Sequence, residues 1–362
     1  MPTHNRRFLP ITAALALFLP SHVVAQEIPA DIEGMVTYLG FKATDVRKLL
    51  QGEVIEVAES LKEGSDKEMA VSVAIILPTT LEKAVEIIRS GRSFAVDPSV
   101  IEYRRMSRDA PSGADFADLG YTADEVNEIQ KLLRVKAGSQ FNFSEAEVSR
   151  FRRLGKELRG KNARKDPSVR EAVNAELRAV LLERYRAYRA AGVESIEPYS
   201  RGGKKRSSPA EELALAFNED VLRDQRLAPL VREFQQAWIK YPEGGAKGIE
   251  NDFFWAKTDV QNRPCFVLTH IMTHRDSEGA LIAERQFYVG HDYNSLSLVM
   301  GAVPVEGGIV LFYRNRTFTD QVAGFGSGLK KGIGRGQMRN TVVKLFKEAK
   351  RQLEAEEFEG SP

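Results

Sequence analysis

The sequence predicts an α+β fold with one antiparallel sheet built from both ends of the chain, a large all-helical insertion between them, and a long C-terminal helix. Three observations carry this reading. Alternating apolar residues mark strands at 69–77, 265–274 and 280–289. Apolar residues at helical spacing dominate 107–248, and one stripe of period 3.6 runs through Asn340–Glu354. The parts are therefore residues 26–106, a strand–strand–helix unit; 107–248, the helical insertion; and 249–362, further strands and the closing helix.

Residues 1–25 read as a secretory signal peptide. Arg6 and Arg7 precede an apolar run from Phe8 to Pro20, and Val23-Val24-Ala25 offers a small-residue exit, with cleavage near Ala25. The alternative is an uncleaved anchor, although the run is shorter than a spanning helix needs. Both arginines lie in this leader, so the 52 basic and 50 acidic residues of the chain balance beyond it. A neutral chain has no global field to draw nucleic acid. A content of 43% hydrophobic and 28% charged residues suits a soluble globular protein. Cys265, the one cysteine, excludes an internal disulfide and reads as a buried inert thiol.

Beyond the leader, Ile32–Leu39 and Thr44–Leu50 suggest short helical pieces, and Glu53–Ala58 a short β-like run after Gly52. Met69, Val71, Val73, Ile75 and Leu77 then share one face of a strand that Pro78 ends. Thr79-Thr80-Leu81-Glu82 reads as a capping box opening a helix to Arg89, and Val100–Met106 as another strand. In the insertion, helices are expected at Thr122–Leu133, Ser144–Leu158 and Ser168–Ala191. The last carries Val169, Val173, Leu177, Val180, Leu181 and Tyr188 on one stripe. Arg152–Lys165 and Arg201–Arg206 are basic clusters, read as solvated faces and a linker because acidic residues offset them. Further helices are expected at 209–219 and 222–239.

Asp252-Phe-Phe-Trp255 opens the last part, and a strand follows at Cys265–His274. The turn Arg275–Gly279 leads to a strand at Ala280–Val289. Asn294–Val303 is ambiguous, Val305–Gly308 is a turn, and Ile309–Arg316 is a strand. Gly324–Gly336 reads as a glycine-rich loop before the last helix.

The resulting order, β-β-α then β-β-β-α across the insertion, resembles the START-like or helix-grip superfamily. That resemblance implies a sheet curled around the C-terminal helix with an apolar cavity between them, over roughly 50–106 and 249–356. The tract Val310–Arg316, with Gly326–Lys331 and the closing helix, also resembles a family of uncharacterised secreted bacterial proteins. The insertion departs from a minimal helix-grip fold and could fill or cap the cavity. The competing arrangement is a two-layer domain with a solid core.

Pairing the strands about the 275–279 turn sets His270 opposite Arg285 on an apolar face with Phe266, Leu268 and Phe287. The other face, with Thr269, Glu284 and Gln286, is the more polar. With the first face inward, Trp255, His270, Arg285, Phe287 and Phe325 form the candidate ligand site. A buried arginine needs a partner, either a ligand anion or an internal acid such as Asp252 or Glu306. His270 and His274 lie about 13 Å apart along one strand, too far to share a metal ion. The glycine-rich segment has neither Walker nor Rossmann spacing, and no hydrolase elbow or zincin motif occurs. No cofactor, metal or catalytic residue is expected. The function these features favour is binding of an apolar or amphipathic small molecule, lipid or fatty-acid-like, by an exported, periplasmic or secreted protein. The alternatives are an envelope interaction protein docking through its charged helices, or a hydrolase with an unrecognised site.

Overall fold

The computed structural model describes residues 43–56, 64–138, 140–164, 166–216, 229–245, 247–277, 279–324 and 326–355. The leader, the helical piece expected at 32–39 and Phe325 lie outside the described residues, as does 217–228, the end of one expected helix and the start of the next.

The N-terminal part comprises α1 (Ala43–Leu50), β1 (Ile55–Glu56), β2 (Glu68–Leu77), α2 (Leu81–Ser90) and β3 (Val100–Met106). The insertion carries α3 (Val126–Leu133), α4 (Glu145–Glu157) and α5 (Pro167–Ala191). A two-strand ribbon, β4 (Tyr199–Ser200) and β5 (Arg206–Ser207), precedes α6 (Pro209–Ala216) and α7 (Pro229–Ile239). The C-terminal part runs β6 (Ile249–Val260), β7 (Arg263–Arg275), β8 (Ala280–Val289), β9 (Ser295–Val305), β10 (Gly308–Phe318) and α8 (Ser327–Glu354).

Both ends of the chain contribute to one antiparallel sheet in the order β1-β2-β10-β9-β8-β7-β6-β3. β2 pairs along its whole length with β10, from Glu68 opposite Phe318 to Leu77 opposite Ile309, and β3 pairs with β6. The insertion therefore leaves from one edge strand and returns into its neighbour. It covers one sheet face, where Phe253, Trp255, Phe266, Leu268, Phe287 and Tyr288 pack with the insertion's Tyr185, Tyr188, Phe151 and Leu177. The other face meets α2 and α8 through Val73, Ile75, Phe254, Ile271, Leu298 and Leu311 with Val85, Val342 and Phe346. The sheet is the middle of three layers. Strands covered on both faces read as continuous apolar runs, which is why β6, with Asp252 and Lys257 buried inside it, showed no alternation and was missed.

Several local expectations shift. The cap of α2 is Thr80, whose hydroxyl accepts from the Lys83 amide, so the Thr79–Glu82 box is displaced by one residue. That helix ends at Gly91 with φ 83°, where a Cβ would run into the Phe254 ring. The glycine-rich stretch expected as a loop is the first third of α8. Glycine is a poor helix former, but Gly334 lies directly against Met69 of β2, and a side chain there would collide with it. The ambiguous 294–303 segment is a strand, β9.

The insertion is tied down by buried ion pairs. Glu147 closes a capping box with Ser144 at the start of α4 and also receives a two-pronged bond from Arg184 at 2.7 and 2.6 Å. The Arg184 guanidinium sits 4.7 Å over the Tyr288 ring of β8, so the pair is pinned to the sheet. Lys257 of β6 reaches Glu125 at 2.6 Å, and Arg263 of β7 reaches Glu128 at 2.9 Å.

Candidate functional site

The sequence-predicted site residues gather beneath the insertion. His270 and Arg285 face each other across β7 and β8, as the turn implied. Between them stands Tyr188 of α5, whose hydroxyl receives Arg285 Nη1 at 2.8 Å and meets His270 Nδ1 at 2.9 Å. His270 Nε2 lies 2.8 Å from Asn251 Oδ1, an acceptor. Nε2 therefore carries the proton, and Nδ1 accepts from Tyr188. Burial, then the nearby charges of Arg285 and Arg189, hold the His270 imidazole well below its usual pKa, hence neutral. Arg285 also reaches the Trp238 carbonyl at 3.2 Å and lies 4.1 Å over the Trp238 ring. Phe287 stacks on Tyr188 at 3.9 Å. Trp255 stands apart, its indole NH donating to the Asp115 carbonyl at 2.7 Å. Asp252, one internal acid considered for Arg285, is instead engaged by Arg89, Arg105 and Arg108.

This corrects the expected orientation. Trp255, His270, Arg285 and Phe287 belong to the core between sheet and insertion, and none of them lines the space under α8. Alternation fixes which residues share a face, but not which layer that face meets. The aromatic face is taken by the aromatic residues of α5 and α7.

The space lies on the opposite face. A cavity of about 1110 Å³ separates the sheet from α2 and α8. Its walls are apolar, with Ile87 and Phe94 on one side, Leu298, Met300 and Leu311 on the sheet, and Met338, Leu345 and Phe346 on α8. Its floor is polar. Tyr293 donates to Gln286 Oε1 at 2.6 Å, and Gln286 Nε2 donates to Glu284 Oε1 at 3.2 Å. A second chain runs along β10, where Thr317 donates to Asn315 at 2.9 Å and Asn315 donates to the Tyr313 hydroxyl at 3.0 Å. Tyr313 in turn meets Phe346 edge-on at 5.2 Å. Thr269, opposite Gln286 on β7, is 1% exposed, and its hydroxyl finds no partner among the described residues.

The electrostatics of the floor are one-sided. Burial pushes Glu284 up to about 7, and the bond from Gln286 only tempers this. Lys344, on the exposed side of α8, is the one cation among the lining residues, against Asp97, Asp259, Glu284 and Glu348. Such a site suits an uncharged or cationic ligand end, such as a hydroxyl, carbonyl or amine, better than a carboxylate. Thr269, Glu284 and Gln286 were visible in sequence as the polar face of β7 and β8. Their role was not, because polar alternation ordinarily marks the solvent side. Tyr313, Asn315 and Thr317 alternate along β10 in the same way, and that signal was available in the sequence.

No family model matches the chain, and no curated protein matches it in sequence. Among solved structures, the crystal structure of Ara h 8.0201 is similar over 30% of this chain and 75% of that one, at 12% identity and a TM-score of 0.20. A likeness that slight transfers neither residue nor ligand, and the assignment rests on the geometry of this chain. Among the described residues no helix is long and apolar enough to cross a membrane.

Proposed function

We propose that this chain is a helix-grip protein that binds an apolar or amphipathic small molecule between its sheet and C-terminal helix. The observation that carries the reading is the cavity of about 1110 Å³, with apolar walls and a few convergent polar groups at one end. Ligand pockets combine these features, with apolar area supplying affinity and sparse polar groups fixing orientation. The strand order supports the fold part of the reading: β2 sits beside β10, β3 is an edge, and the chain closes with α8 over the sheet. Without a buried cation among the residues lining the floor, the favoured ligand has a neutral or cationic polar end rather than the carboxylate of a fatty acid.

The leader-like composition of residues 6–25 supports export, so the ligand is one met outside the cytoplasm. N-terminal sequencing of the protein recovered from the exported fraction tests this, and an intact Met1 there argues against cleavage near Ala25.

Binding is tested with a neutral fluorescent probe, N-phenyl-1-naphthylamine, displaced by a long-chain alcohol or by the fatty acid of equal length at pH 8. The expected result is tighter binding of the alcohol, with Leu298→Trp filling the cavity and abolishing probe uptake. A folded protein that takes up no probe, or takes it up equally after Leu298→Trp, rules the reading out.

A further inference from the structure

We propose that the cavity also performs proton transfer, with Glu284 as general acid–base toward a bound apolar carbonyl compound. The inference rests on the binding reading above and extends it. Three observations place the chemistry. Glu284 lines the cavity floor, with one carboxylate oxygen held by Gln286, which is itself fixed by the Tyr293 hydroxyl. This two-bond chain orients the carboxylate, while Oε2 takes no hydrogen bond from the described residues. Glu284 forms no ion pair with a described lysine or arginine, so no cation holds it permanently ionised. The Thr269 hydroxyl, cross-strand from Gln286 and so diagonal to Glu284, is buried and unpartnered at the same floor.

Burial leaves Glu284 near pH 7 in its affinity for a proton, where a carboxyl group can both accept and return one. The other titratable groups lining the cavity are Asp97, Asp259, Tyr293, Tyr313, Lys344 and Glu348. In the step, the Glu284 carboxylate removes a proton from the carbon beside the substrate carbonyl. The C–H electron pair moves into the enolate, whose oxygen accepts a hydrogen bond from Thr269. Protonated Glu284 then returns the same proton to the conjugated carbon. The outcome is isomerisation of an unsaturated ketone or aldehyde, with no oxidant, reductant or second substrate consumed.

The test uses the full chain and 5-nitrobenzisoxazole, a neutral apolar carbon acid. Removal of its C–H proton by a carboxylate breaks the ring N–O bond and releases a coloured cyanophenolate. N-phenyl-1-naphthylamine binding is measured on the same samples. Wild type should open the ring at a rate that rises with pH to a plateau, with a midpoint near 7. Glu284→Gln should lose about 10²-fold or more of that rate while still taking up the probe. Thr269→Val should slow turnover by up to roughly 10²-fold, with probe affinity unchanged. Glu284→Asp, which keeps the base but shortens its reach, should retain part of the activity. Equal rates in wild type and Glu284→Gln, with probe bound by both, overturn the proton-transfer role and leave the binding reading standing. Failure of folded wild type to take up the probe removes both.

Discussion

The two faces of the sheet differ in what covers them. Over β7 and β8 the insertion brings Tyr188, Trp238 and Tyr241 onto His270, Arg285 and Phe287, and the layer between is solid. Under α8, residues of the same strands meet a cavity. The solid face carries the larger side chains and buried charges, while the hollow face carries smaller apolar residues and a carboxylate without a cation. Charge is tolerated where a partner is built beside it. It is left unpaired where a ligand could supply the missing contact.

The contrast is broken most severely at the buried pair of the insertion. Arg184→Leu strands Glu147, whose side chain is 10% exposed against 8% for Arg184. The expected loss is about 3–5 kcal/mol in urea unfolding, because a lone buried carboxylate is left uncompensated. A loss below about 1 kcal/mol would mean that this interface is not the solid one described. A matched pair of truncations is the next test. Leu268→Ala, fully buried under the insertion, should cost about 2–5 kcal/mol, since the cut opens a void in close packing. Leu298→Ala should cost less, about 1–2 kcal/mol, because it enlarges a space already present. Equal losses would argue that the cavity closes in solution.

The third test concerns pH. The folded-state affinity of Glu284 for a proton is raised to about 7, above an ordinary glutamate. The native state therefore binds more protons than the unfolded state between about pH 4.5 and 7, and stability falls as pH rises through that window. Glu284→Gln removes this dependence, so its melting temperature should exceed that of wild type at pH 8 and approach it at pH 5. Glu212, in α6 of the insertion and also raised to about 7 by burial, keeps its own contribution in both proteins and cancels from the difference. A constant difference across that range would show that Glu284 titrates normally. The smallest effect is expected at the surface. Leu329→Ser, at a side chain 75% exposed on α8, should change stability by no more than about 0.5 kcal/mol.

Much of the fold was readable because local rules suffice for it. The 275–279 turn and strand alternation set His270 against Arg285, and the structure keeps that register. The pairing departs from the simple pattern at a bulge beside Leu268 and Thr269, which turns both Phe287 and Tyr288 toward the insertion. A bulge adds one residue without a sequence mark, so the exact lining of the face could not be read. The candidate site was less legible than the fold. Its polar floor is legible as a set of residues sharing a face, but polar alternation ordinarily marks the solvent side, so the sequence does not show that this face meets a cavity.

By itself the sequence determined the strand and helix periodicities, the helical character of 107–216, the apolar stripe of the closing helix, and the sharing of one face by Thr269, Glu284 and Gln286. Those are short-range properties, set by side-chain direction along a strand or helix. Only the tertiary structure decided which layer each face meets. The aromatic residues of α5 pack on the strands, Tyr185 against Phe253 and Tyr188 against Phe287, and Trp238 of α7 lies against His270. The insertion therefore takes that face, and α8 is left to span the polar one across a cavity. The same long-range packing accompanies a helix in the glycine-rich 327–336 segment, where Gly334 lies against Met69 of β2.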